Sequence, residues 1–134
     1  MATPRQIAER QIKAAFAGDW DALRALYADD VQYTDPDGEL RGVDAAIAHL
    51  KEQVVPLSDI SVEVQRIYAG EDFAVAEWSA KMQYNGEVTA GKPTPMTLSV
   101  TTIYDIRGDR IVSERNYYDL LSTMTQLGVF PPSP

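Results

Sequence analysis

Tyr33 and Asp35 stand two residues apart in the short β-prone run Val31-Gln32-Tyr33-Thr34-Asp35-Pro36-Asp37-Gly38. Alternate side chains of a strand share a face. Val31, Tyr33 and Asp35 therefore point together, while Gln32 and Thr34 point away. A carboxylate beside a phenol on an otherwise apolar face supports two readings. One is a general base, with a pKa raised by partial desolvation among Val31, Tyr33 and Trp78. The other is a turn cap, since Asp-Pro-Asp-Gly is a turn sequence whose first Asp accepts backbone N–H bonds.

Other side chains could surround such a group. Trp20, Tyr33, Trp78, Tyr84, Tyr104 and Tyr117 could line an aromatic pocket or fill a core. A buried phenol needs a hydrogen-bond partner, so several inward tyrosines point to a cavity with a polar end. His49 reads as a surface histidine at the margin of a helix stripe. Glu77 and Glu114 read as outward-facing strand residues.

Periodicity places these residues on elements. Thr3, Pro4 and Gln6 form a helix start of the capping-box kind, and Ile7, Ala8, Ile12, Ala15 and Phe16 follow at helical spacing. Gly18 ends that helix and Asp19 caps a second, with Trp20, Leu23, Leu26 and Tyr27 as its stripe. A third helix spans residues 42–54 and stops at Pro56. From Ser58 the period becomes two, with a slip near Arg66 that suggests a bulge. Strands follow over residues 73–84, 96–106 and 111–118. Asp119 can cap a last helix over residues 120–127, closed by Gly128, before a proline-rich and mobile tail over residues 129–134. Helices followed by antiparallel strands give an α+β fold with helices on one face of a curved sheet. Such an interior commonly holds a ligand.

Composition narrows the chemistry. The chain has 134 residues, which fits one domain over residues 1–134. It has no cysteine and one histidine, so thiol chemistry is excluded and a histidine-based metal site is not expected. No glycine spacing suits a phosphate loop and no Ser-His-Asp set is legible. A net charge of −8 argues against nucleic acid and favours a neutral or cationic small molecule, or a protein. No run is long enough for a membrane span and no signal core is visible, so a soluble, cytoplasmic protein is expected.

The stretch Ala17-Gly18-Asp19-Trp20-Asp21-Ala22-Leu23-Arg24-Ala25-Leu26-Tyr27-Ala28-Asp29-Asp30, with Tyr33-Thr34-Asp35-Pro36 after it, resembles the nuclear-transport-factor-2-like superfamily. It is most similar to the SnoaL-like polyketide cyclase and ketosteroid isomerase branch. The end of the chain, Ile111-Val112-Ser113-Glu114-Arg115-Asn116-Tyr117-Tyr118-Asp119 with Gln126-Leu127-Gly128, agrees. The resemblance implies a cone-shaped α+β barrel, three N-terminal helices on a mostly antiparallel sheet and a short C-terminal helix. It places Asp35 at the isomerases' general-base position, Gln11 at their oxyanion tyrosine and Thr102 at their protonated aspartate. It places Asp119 at the cyclases' acid/base, whose companion histidine finds no match. The epoxide hydrolases' Arg-x-Asp pair is missing, because the corresponding strand reads Glu77-Trp78-Ser79-Ala80.

Two expectations follow. The first is a cofactor-free and metal-free acid/base enzyme of isomerase, cyclase or lyase type, moving a proton on a small, largely apolar substrate. Asp35, Asp119 and Tyr33 would be catalytic. Gln11, Trp20, Trp78, Tyr84, Thr102, Tyr104, Asn116 and Tyr117 would contact substrate, with Tyr33, Gln11, Thr102 or Asn116 donating to an oxyanion. The second is a non-catalytic module of the same fold that binds a small ligand or a protein. The family also implies a homodimer through the outer sheet face, which Ser61, Glu63 and Gln65 together with Thr97, Ser99 and Thr101 make mixed and Thr/Ser-rich.

Overall fold

Helix α1 (Pro4–Ala17) opens on a reciprocal cap: the Gln6 backbone N–H donates to the Thr3 hydroxyl at 3.2 Å, and the Thr3 N–H donates to the Gln6 amide oxygen at 2.9 Å. Gly18, at φ 68°, turns the chain out of the helix through the left-handed region that a side chain disfavours. Asp19 then caps α2 (Trp20–Leu26) by accepting from the Ala22 N–H. In this computed structural model, which describes residues 2–130, both helices turn one apolar side inward.

The first strand is longer than the sequence pattern suggests. β1 runs over Tyr27–Asp35, so Tyr27 belongs to the sheet and is fully buried rather than ending the helix stripe. The Asp-Pro-Asp-Gly turn leads into a short antiparallel partner, β2 (Gly38–Arg41), which the sequence reading passes over. Helix α3 (Val43–Val54) follows and buries Ala46, Ile47 and Leu50. Strands β3 (Leu57–Ala69), β4 (Phe73–Tyr84), β5 (Thr94–Arg107) and β6 (Arg110–Tyr117) complete the sheet, and α4 (Leu120–Gln126) closes the described chain. A single 3-10 turn, Glu87–Thr89, occupies the looser connection before β5. The expected slip in β3 is present: Val64 pairs with Trp78 and Arg66 with Glu77, leaving Gln65 as the extra residue.

The sheet order is β2-β1-β6-β5-β4-β3. All neighbours are antiparallel except β1 and β6, which run parallel. The sheet is mixed and does not close on itself. Its concave side is covered by helices: α1 lies over β3 and β4, α3 over β1 and β2, and α4 against β5. The core between the layers includes Ile7, Leu23, Val31, Ile47, Tyr104 and Ile111. Each large side chain buried there contributes roughly 1.5–3 kcal/mol. The alternation foreseen on β4 holds, with Ala74, Ala76, Trp78, Ala80 and Met82 buried. Part of the tail expected to be mobile, residues 131–134, lies outside the described residues. Among the described residues no helix is long and apolar enough to cross a membrane.

Candidate active site

One β-bulge decides which acid faces the interior. On β5 and β6, Asp105 pairs with Ser113 and Ile106 with Ile111, so Val112 is an extra residue in β6. An extra residue moves every later side chain to the other face. Ile111 points into the core, and beyond the bulge Glu114 and Asn116 do so too. The outward reading of Glu114 is thereby corrected: it is 1% exposed. The inward reading of Tyr117 is corrected by the same shift, because Tyr117 is 54% exposed.

Glu114 ends two chains of hydrogen bonds. The Tyr104 hydroxyl donates to Gln11 Oε1 at 2.6 Å, Gln11 Nε2 donates to the Tyr27 hydroxyl at 3.1 Å, and Tyr27 donates to Glu114 Oε1 at 2.6 Å. On the other side Trp78 Nε1 donates to Thr102 Oγ1, Thr102 donates to Asn116 Oδ1, and Asn116 Nδ2 donates to Glu114 Oε2 at 2.9 Å. Burial pushes the Glu114 carboxyl up to about 7; the bonds from Tyr27 and Asn116 pull it down, and the nearby Asp35 raises it. Donors on both oxygens hold a site for the carboxylate form, while the dry surroundings favour the neutral acid.

Glu114 opens onto a cavity of about 280 Å³. Gln11, Phe16, Tyr33, Trp78, Tyr84, Asn116 and Tyr118 contribute to its wall, and Leu120, Thr123 and Leu127 close it from the α4 side. Tyr33 is the register partner of Glu114 across the parallel β1–β6 pair. Its side chain is buried and lines the cavity. Burial first, then Glu114 and Asp35, hold its pKa well above the ordinary phenol value, so it is a donor at neutral pH. Tyr118, half-buried, is pushed up to about 12 by burial and by Asp35 and Asp37.

Asp35 does not line this cavity. Its side chain is 2% exposed and fully engaged: Oδ1 accepts the Asp37 N–H at 2.8 Å, as the turn reading requires, and Oδ2 lies 2.6 Å from His49 Nε2. The expectation of a surface histidine is thus corrected. His49 reaches back from α3 to the end of β1, and its ring meets Tyr33 edge to face at 5.5 Å. Asp35, Asp37 and His49 each offer a ligand atom within 4.8 Å of the others. Two ligands around a tetrahedral ion with bonds of about 2.0 Å lie roughly 3.3 Å apart. The 2.6 Å contact is a hydrogen bond instead, and the trio as arranged does not fit a metal.

Of the residues expected to contact substrate, Gln11, Trp78, Tyr84 and Asn116 line the cavity, and so does Tyr33. Thr102 and Tyr104 are buried behind the wall, with their hydroxyls committed to Asn116 and Gln11. Gln11 also has its amide committed at both ends, so it holds the network rather than offering a free donor. Trp20 is outside the cavity, half-buried with the Lys51 ammonium 5.7 Å from its ring. Asp119 is exposed and accepts the Ser122 N–H at 3.0 Å, which is the N-cap role; it is not part of the cavity. Glu114 and His49 are the groups that the sequence reading missed. Only the register between β5 and β6, and the packing of α3 on β1, reveal them.

A protein-family model described as the SnoaL-like domain matches residues 8–114. No curated protein matches the chain. A protein of ketosteroid isomerase-like fold from Catenulispora acidiphila DSM 44928, solved in complex with trimethylamine, is 25% identical with a TM-score of 0.78, over 95% of each chain. A protein named as a SnoaL-like polyketide cyclase from Shewanella putrefaciens CN-32 is 16% identical with a TM-score of 0.82, over 96% of this chain and 87% of that one. An LEH-like epoxide hydrolase of M. tuberculosis is 20% identical with a TM-score of 0.72, over 90% of this chain and 86% of that one. The last two likenesses concern the fold.

Proposed function

Because the chain belongs to the SnoaL-like domain family, whose fold hosts several chemistries, we propose that it is a cofactor-free acid/base enzyme of isomerase, cyclase or lyase type. It moves a proton on a small, largely apolar molecule held in the interior. One observation carries this reading: a buried carboxyl, Glu114, opens onto an apolar cavity with a pKa lifted to about 7. A base works best when its pKa lies near the working pH, where it can both take a proton and return it. Glu114 takes the proton from carbon. Tyr33, beside it on the cavity wall, stabilises the oxygen on which negative charge develops. Asp35 and His49 hold the Tyr33 ring from behind and are positioning residues.

The test is proton exchange at the α-carbon of small cyclic ketones such as cyclohexanone in D₂O, followed by NMR. The wild type accelerates exchange, and Glu114→Gln lowers the catalysed rate by about 100-fold, in the range expected for loss of a general base. Equal rates for the two proteins would remove Glu114 from this role. A second reading, a ligand-binding module without catalysis, is favoured by the trimethylamine complex of the Catenulispora protein. It predicts ligand binding with no exchange in either variant. Epoxide hydrolysis is not favoured, since among the described residues no arginine lines the cavity and β4 lacks the Arg-x-Asp pair.

A further inference from the structure

The cavity is one-sided in charge. Asp37, Glu52 and Glu114 line it, and among the described residues no lysine, arginine or histidine does. The whole chain carries −8, a net charge of the same sign as the cavity's acids. The titratable groups acting on Glu114 or acted on by it are Tyr27, Tyr33 and Asp35 on β1 and Tyr104 on β5; none is a cation. On its own strand, Arg115 is turned away and paired with Asp105 at 2.7 Å. Each Glu114 oxygen accepts one bond, from Tyr27 or Asn116, whereas a carboxylate has about four acceptor positions. Acceptor capacity is left for a ligand. The wall also carries aromatic rings, with Phe16 and Trp78 edge to face at 5.3 Å. Ring faces attract cations, more strongly where water is excluded.

We propose that this cavity takes a small apolar amine in its protonated form, with the ammonium on Glu114 and the hydrocarbon against the aromatic wall. Such a ligand offsets the cost of a buried carboxylate that no protein cation compensates. An anionic ligand would meet repulsion from three acids. The inference rests on the cavity being the ligand site, which both readings above share, and not on catalysis.

The test uses three probes with one ring and different charge: N,N-dimethylcyclohexylamine, cyclohexyl methyl ketone and cyclohexanecarboxylate. Calorimetry at about pH 8 should give the amine an affinity at least about tenfold above the ketone, with no binding of the carboxylate. On lowering the pH to about 5.5 the amine should weaken as Glu114 takes up a proton, while the ketone holds. Glu114→Gln should abolish the preference and keep the ketone within about twofold, which also shows an intact cavity. A ketone that binds as tightly as the amine in the wild type overturns the inference. So does an amine preference that is flat with pH, one that survives Glu114→Gln, or binding of none of the probes. A ketone that binds as tightly as the amine leaves the exchange reading standing, whereas binding of no probe counts against both, and failure of exchange leaves these outcomes unaffected.

Discussion

Tyr33 and Glu114 stand opposite each other across the sheet's parallel β1–β6 pairing, with a phenol and a carboxyl on one inward face. The arrangement is costly for the charged acid and useful for proton transfer. It follows from the Val112 bulge, without which Glu114 would face outward.

The cost should appear in the pH dependence of stability. The Glu114 carboxyl moves from 4.5 to about 7 on folding. The fold therefore prefers the protonated acid. That contribution is fully present below the unfolded value and is lost as pH rises through the folded one. At about 1.4 kcal/mol per pH unit, the loss amounts to about 3 kcal/mol. Glu114→Gln cannot titrate. Urea unfolding should show its stability relative to wild type rising by about this amount between roughly pH 4 and pH 8. A constant difference would show that Glu114 is not the buried titrating group.

Tyr27→Phe removes the hydroxyl that donates to Glu114 and accepts from Gln11. Two effects are expected. The Glu114 pKa rises further, because a bond that favours the carboxylate is lost. Stability falls by about 1–3 kcal/mol, because the buried Gln11 amide loses its acceptor. NMR titration of a labelled glutamate side chain reads the first and thermal melting the second.

The two aspartates at the chain's two candidate sites should separate. His49→Ala leaves the buried Asp35 carboxylate without its 2.6 Å partner and frees the Tyr33 ring. Stability should drop by about 1–3 kcal/mol, and ketone exchange should fall with it. Asp119→Ala removes only the cap of α4, worth about 1 kcal/mol, and exchange should persist. Exchange lost in Asp119→Ala but retained in His49→Ala would reverse these assignments.

The outer sheet face offers Ser61, Glu63 and Gln65 on β3 and Thr97, Ser99 and Thr101 on β5, with β4 between them, all exposed or half-exposed. We expect two copies to pair through it. Sedimentation at micromolar concentration should give a dimer, and Ser99→Arg together with Thr97→Arg should give a monomer with exchange intact. A monomeric wild type would remove the expectation.

Much of the fold is legible in the order of residues. The Thr3–Gln6 cap, Gly18, the Asp119 cap and the alternation along β4 are local, and local chemistry suffices to place them. The site is less so. Tyr33, Trp78 and Tyr84 can be assigned to an inward face because strand period alone determines it, whereas Asn116 faces inward only through the Val112 bulge. Asp35 is legible as an acid at a turn, and it does cap that turn. What it pairs with depends on how α3 lies on β1, and no spacing between residues 35 and 49 reveals that. Glu114 is the clearest case. In Ile111-Val112-Ser113-Glu114 nothing local marks Val112 as the residue without a partner, since a bulge exists only relative to the neighbouring strand. Chain order alone determined a helix-covered sheet with an acid near its first turn. Tertiary register decided that a different acid faces the cavity.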